Sequence, residues 1–199
     1  MGTWTSPSNW SRNLHALIYK FNLTLPVQFE HIDLPVRWRN QHVMVPWPAL
    51  PFSSWVKTVF MKSCGEPLLG GFKLQETQKW TTMFQDFWEK FKNARGTSHE
   101  VFRRHAGRLQ FCCPIAVHGD EGRGKLKRAV MATSVLPLLV PNGHAGHSFN
   151  TRYLHSIMPG ELYEGDATVE ILQNSLVEDL RSLYEHGLPV SCMHAMQLQ

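Results

Sequence analysis

Residues 111–139, FCCPIAVHGDEGRGKLKRAVMATSVLPLL, decide how this chain is read. An apolar run climbs to His118-Gly119-Asp120-Glu121, a basic stretch follows through Lys125, and a second apolar run leads to Leu139. The pattern predicts a β-hairpin, with a strand over 109–118, a turn over 119–125 and a second strand over 127–139. Two adjacent carboxylates at the end of a buried strand are costly unless a cation or proton neutralises them. Asp120 and Glu121 are therefore the first candidates for chemistry.

Working outward, residues 149–157 predict a third strand. A helix follows, capped by Asp166, with Val169, Leu172, Leu176, Leu180, Leu183 and Tyr184 on one face and Gly187 and Pro189 beyond its end. Upstream, Trp80, Met83, Phe84, Phe87, Trp88 and Phe91 recur at three and four residues and predict a helix over 77–92, stopped near Gly96. A stripe at this spacing reads as core before it reads as a platform for bases. Thr97-Ser98-His99-Glu100 offers a capping box for a short basic helix through Arg104. Residues 53–62 predict a helix capped by serine and ended near Gly65. Residues 1–50 carry Pro26, Pro35, Pro46 and Pro48 and show no sustained period, which predicts extended segments and turns.

The expected fold class is α+β or α/β. A Pro-rich segment (1–50), extended or disordered, precedes a helical, Trp-rich segment (51–108) and a domain over 109–199 built from a three-stranded meander and a long helix. All seven tryptophans lie before residue 90, which marks the change in composition.

At 43% hydrophobic and 18% charged residues, the composition is that of a globular protein. No apolar run approaches the ~20 residues that span a bilayer, and no leader is evident at the N-terminus, so the expectation is a nuclear or cytoplasmic protein, not secreted and without a membrane partner. Met1-Gly2-Thr3-Trp4-Thr5-Ser6 fits a myristoylation pattern with no second anchor nearby. Reduced thiols are then the default for Cys64, Cys112, Cys113 and Cys192. Net charge is +4, and nine basic residues fall between Lys92 and Arg128 against Glu100, Asp120 and Glu121. Arg103, Arg104, Arg108, Arg123, Lys125, Lys127 and Arg128 form the candidate phosphate-binding set; the alternative is a solvated face.

Three constellations compete for chemistry. A two-metal phosphoryl-transfer site needs carboxylates from several elements around Mg²⁺ or Mn²⁺, and Asp120 suits the first of them. Glu121 falls on the opposite face if the strand continues. Gly119-Asp-Glu-Gly-Arg-Gly124-Lys125 fits a phosphate loop, but Leu126 replaces the expected Ser or Thr and a strand-like run follows. His118, His144 and His147 offer a weaker metal set. Cys112 and Cys113 lie in an apolar run that raises thiol pKa and keeps them inert.

The runs PIAVHGDEGRGKLKRAVM (114–131), GHSFNTRYLHSIMP (146–159) and GDATVEILQNSLVEDLRSLYEHG (165–187), with LPFSSW and LLGGF upstream, resemble a large family of uncharacterised proteins from dinoflagellate-type algal genomes. Its longer members are similar to DDE-type transposases, whose catalytic domain is ribonuclease-H-like. The resemblance implies the opening half of such a domain, with Asp120 as the first metal-binding acid, His118 and Glu121 beside it, and Mg²⁺ or Mn²⁺ as cofactor. It implies a truncated copy, since the strands that would carry the remaining acids have no counterpart. The expected function is nucleic-acid processing, incomplete for catalysis. The alternatives are a non-catalytic nucleic-acid-binding or scaffold protein and a product without activity.

Overall fold

The computed structural model describes residues 25–123, 129–140 and 152–189, with Ala16, Ile18, Lys20 and Phe21; of Arg123 it describes the backbone alone. It is a mixed α+β fold with two small antiparallel sheets. Strands β1 (Glu30–Trp38) and β2 (Gln41–Ala49) make the first sheet. Helices α1 (Phe52–Ser63), α2 (Thr77–Arg95) and α3 (Val101–Arg104) follow. Strands β3 (Ile115–Arg123), β4 (Ala129–Pro137) and β5 (Tyr153–Pro159) form the second sheet in that spatial order, and α4 (Gly165–His186) closes the described fold.

The extended reading of the early residues resolves into a hairpin. Ile32, Leu34 and Val36 alternate on β1 and meet Trp47, Val45 and Val43 across the register. Arg39 and Asn40 turn the chain with φ of 49° and 63°, the doubly positive φ that matches the twist of a two-residue hairpin turn. Pro35, Pro46 and Pro48 are accommodated because, among the described residues, each strand is laddered on one side alone; the outer side of β1 carries just a bridge from Val36 to Tyr163.

The long helices form where their periodicity places them. On α2, Trp80, Phe84 and Trp88 are buried, and the indole N–H groups of Trp80 and Trp88 donate to the carbonyls of Leu74 (3.1 Å) and Cys112 (2.8 Å). Gly96, at φ 79°, ends the helix. Leu172 and Leu176 are the buried residues of the α4 stripe, and Gly187 ends it at φ 69°.

The helix starts differ from expectation. Pro51, not serine, precedes α1, and the Ser53 N–H donates to the Asp179 carboxylate of α4 at 3.0 Å. The capping box before α3 does not form: Glu100 makes no cap bond, and His99 Nδ1 accepts from the Val101 N–H at 3.2 Å. Asp166 lies in the first turn of α4 without capping it. The Thr168 hydroxyl instead accepts from the Glu164 N–H (3.0 Å) and donates to the Pro35 carbonyl of β1 (2.6 Å).

The second sheet corrects the central hairpin. Leu109–Phe111 is a 3₁₀ turn, and β3 starts at Ile115 and runs through Gly119, Asp120 and Glu121 to Arg123. Gly119 to Arg123, part of the expected turn, pair instead with Thr133 to Ala129, so cross-strand bonding overrides their local turn preference. A bulge lies between Thr133 and Ser134. Because β4 follows where a phosphate loop needs a helix, that reading of Gly119 to Lys125 fails.

Two apolar clusters result. Phe52, Phe60, Trp80, Phe84, Val135, Tyr153 and Leu176 anchor the larger, and Leu34, Val36, Met158 and Leu172 the smaller. Buried His155 stands between them, its ring nitrogens 3.2 Å from the carbonyls of Leu50 and Leu172. Cys64, at the end of α1, is disulfide-bonded, which corrects the expectation of four reduced thiols. Pairing depends on proximity in space, which sequence spacing does not encode.

The Asp179 contact has a measurable consequence. Asp179→Ala removes the carboxylate that accepts from the Ser53 N–H in the first turn of α1 and is expected to lower unfolding free energy by about 1 kcal/mol in urea titrations. A change below ~0.3 kcal/mol would show that the carboxylate contributes nothing to α1.

Candidate nucleic-acid interface and the acidic strand

Asp120 and Glu121 sit on β3 opposite Ala132 and Met131. Successive strand residues face opposite sides, so Asp120 shares its side with His118, and Glu121 lies on the other. Both carboxylates are exposed and His118 is half-buried. The burial cost that first drew attention to the pair is therefore absent, because the end of β3 projects beyond the core. Glu121 acts on its surroundings in one respect: burial first, and the Glu121 charge second, push the Tyr163 hydroxyl above the ordinary range.

Among the described residues, no three of His, Cys, Asp and Glu come together in a way that could hold a metal ion. Asp120 and His118 on one face, with no third donor beside them, do not fit Mg²⁺ or Mn²⁺ by themselves. His144 and His147 lie outside the described residues.

The basic residues are distributed unevenly. Arg103 pairs with Glu100 at 2.9 Å, its side chain 79% exposed. Arg104 reaches Glu185 of α4 at 3.1 Å and lies 5.7 Å from the centre of the Tyr184 ring, which ties α3 to α4. Arg108 is exposed, and its carbonyl accepts from the Cys112 thiol at 3.5 Å. The side chain of Arg123, and Lys125, Lys127 and Arg128 entirely, lie outside the described residues.

Two concave regions adjoin this surface. Lys92, in the last turn of α2, and Arg103 line a depression of about 460 Å³ with Trp88 and Phe102 among its walls. Trp88, Phe91 and Phe102 pack against one another there, with ring centres 5.7–6.3 Å apart. A larger apolar cavity of about 650 Å³ lies between α1, the start of β3 and the end of α4, with His105, Arg108 and His186 among its polar lining. Sequence reasoning named Arg103 and counted Lys92 in the basic run; that the two share one depression follows from how α3 folds back on α2.

Cys112 and Cys113 behave as the apolar run suggested. Burial pushes the Cys112 thiol up, and burial, with a smaller contribution from Cys112, pushes Cys113 up to about 12. The Cys113 thiol donates to the Leu68 carbonyl at 3.4 Å.

No protein-family model, curated protein or solved structure matches this chain. Among the described residues no helix is long and apolar enough to cross a membrane.

The cysteine environment sets an alkylation order. At pH 8, below the raised value of Cys113, its thiolate population falls on the order of a thousandfold from that of an ordinary thiol. Iodoacetamide mapped by mass spectrometry is expected to label Cys112 first and leave Cys113 unmodified until the protein unfolds. Equal labelling of the two in the native protein would contradict this burial.

Proposed function

We propose that the protein binds nucleic acid through the surface formed by α2 and α3, without phosphoryl transfer by the described residues alone. The observation that carries this reading is the shared depression, which sets Lys92 and Arg103 beside Phe102 and Trp88. Cationic side chains supply affinity for the phosphate backbone that is independent of sequence, and aromatic surface adds base stacking. Phe102 is half-buried and keeps part of its surface for such contact, whereas Trp88 is committed to the core. An exposed pair such as Arg103–Glu100 contributes little, so a phosphate can displace Glu100 at small cost.

A second reading is favoured by the order β3-β4-β5 followed by α4, with Asp120 on β3. The opening half of a ribonuclease-H-like domain would have a three-stranded meander followed by a helix, which supports reading the protein as a transposon-derived one. Asp120 would then join carboxylates from outside the described residues around Mg²⁺ or Mn²⁺. On this reading, Mn²⁺ raises the melting temperature of the wild-type protein and not that of Asp120→Asn.

The first reading is tested by fluorescence anisotropy with a labelled single-stranded oligonucleotide. Replacing Lys92 and Arg103 together by alanine is expected to weaken binding and to flatten the slope of log affinity against log salt by about two. Asp120→Asn is expected to change neither quantity. An unchanged slope in the double variant would remove the assigned surface.

A further inference from the structure

Strand β3 is an edge. Among the described residues it pairs with β4 on one side and with no strand on the other. Val117 lies opposite the core residue Val135, yet is 54% exposed, so the apolar core stops short of this edge. An open row of backbone N–H and C=O groups is a template for another strand.

We propose that two copies of the chain pair through β3, antiparallel about a two-fold axis at Gly119, into one sheet of order β5-β4-β3-β3-β4-β5. The register follows from the sequence of the strand. Gly119 is the middle residue of the nine in β3, so pairing about it uses the whole edge. It sets His118 of each copy opposite Asp120 of the other, and the contact occurs twice. The neighbouring symmetric registers that keep the same face of the sheet covered are poorer. Pairing about His118 places the two His118 rings opposite each other and leaves Asp120 facing Ala116. Pairing about Asp120 brings two carboxylates together. An imidazole N–H of His118 can donate to the Asp120 carboxylate directly across the strands, whereas two carboxylates facing each other destabilise a pair. Such a self-complementary contact closes on itself as a dimer and leaves no β3 edge to recruit a third copy. The inference stands on β3 alone and is independent of the nucleic-acid surface on α2 and α3.

Gly119 also permits a direct test of the register. A Cβ built there meets nothing within 4 Å, and its φ is not positive, so a side chain fits without strain. Residues directly opposite in an antiparallel pair lie at the Cα separation that a disulfide spans. The 199-residue protein is expected to sediment as a concentration-dependent dimer. His118→Asp alone, or Asp120→His alone, should raise the dissociation constant about tenfold, since either change spoils both contacts. The double exchange His118→Asp with Asp120→His should restore it, because the pairs are merely inverted. Gly119→Cys should give a covalent dimer on oxidation, while Val117→Cys, which faces Glu121 in this register, should behave as the parent protein does. A protein that stays monomeric at every concentration, a dimer indifferent to both single exchanges, or a Gly119→Cys variant that forms no covalent dimer would overturn the proposal.

Discussion

One face of α4 closes both apolar clusters, and the described fold depends on it. Leu172 enters the cluster shared with the β1–β2 hairpin, and Leu176, one turn later, enters the cluster shared with α1, α2 and the second sheet. Polar contacts follow the same helix. Thr168 holds the Pro35 carbonyl of β1, the Leu172 carbonyl meets the His155 ring, and Asp179 receives the Ser53 N–H of α1. Successive turns of one helix therefore fix the hairpin, the meander and α1. A buried leucine contributes about 2–3 kcal/mol and each hydrogen bond about 1 kcal/mol, so the apolar stripe supplies most of the energy and the polar contacts set the angles.

This arrangement decides which surfaces are rigid. α2 is locked by its buried aromatic stripe and by the bond from the Trp88 indole to the Cys112 carbonyl, and α3 is tied to α4 through Arg104 and Glu185. Lys92 and Arg103 thus project from elements that are held in place. Asp120 and Glu121 lie at the far end of an edge strand, exposed and on opposite faces. The two basic side chains are positioned to act together in a way that the two acidic ones are not.

Much of this was legible in the sequence, and the failures have identifiable causes. α2 and α4 follow from apolar spacing that each helix carries within itself, and Gly96 and Gly187 mark their ends. The hairpin carries an equally plain alternation at Ile32, Leu34 and Val36, but Pro35, Pro46 and Pro48 argue against a strand unless it is known to have an open edge. Gly119 to Arg123 has the composition of a turn; its pairing with β4 is non-local, and local preference could not reveal it. The carboxylate that meets the first turn of α1 comes from a residue 126 positions away, out of reach of any local pattern. In the site, the candidate arginines were identifiable by charge. That Arg104 serves a structural pair, and that Lys92 and Arg103 share a depression, depends on how α3 folds against α2 and α4.

The measurement that bears most directly on the central claim is the salt dependence of oligonucleotide binding, taken in parallel with excess Mg²⁺ and with EDTA. A surface of fixed cations acting on phosphates predicts log affinity falling linearly with log salt in EDTA, with Mg²⁺ acting only as a competing cation. Binding that appears only when Mg²⁺ is present would contradict the account and move the site to Asp120. No binding at low salt in either condition would contradict it outright.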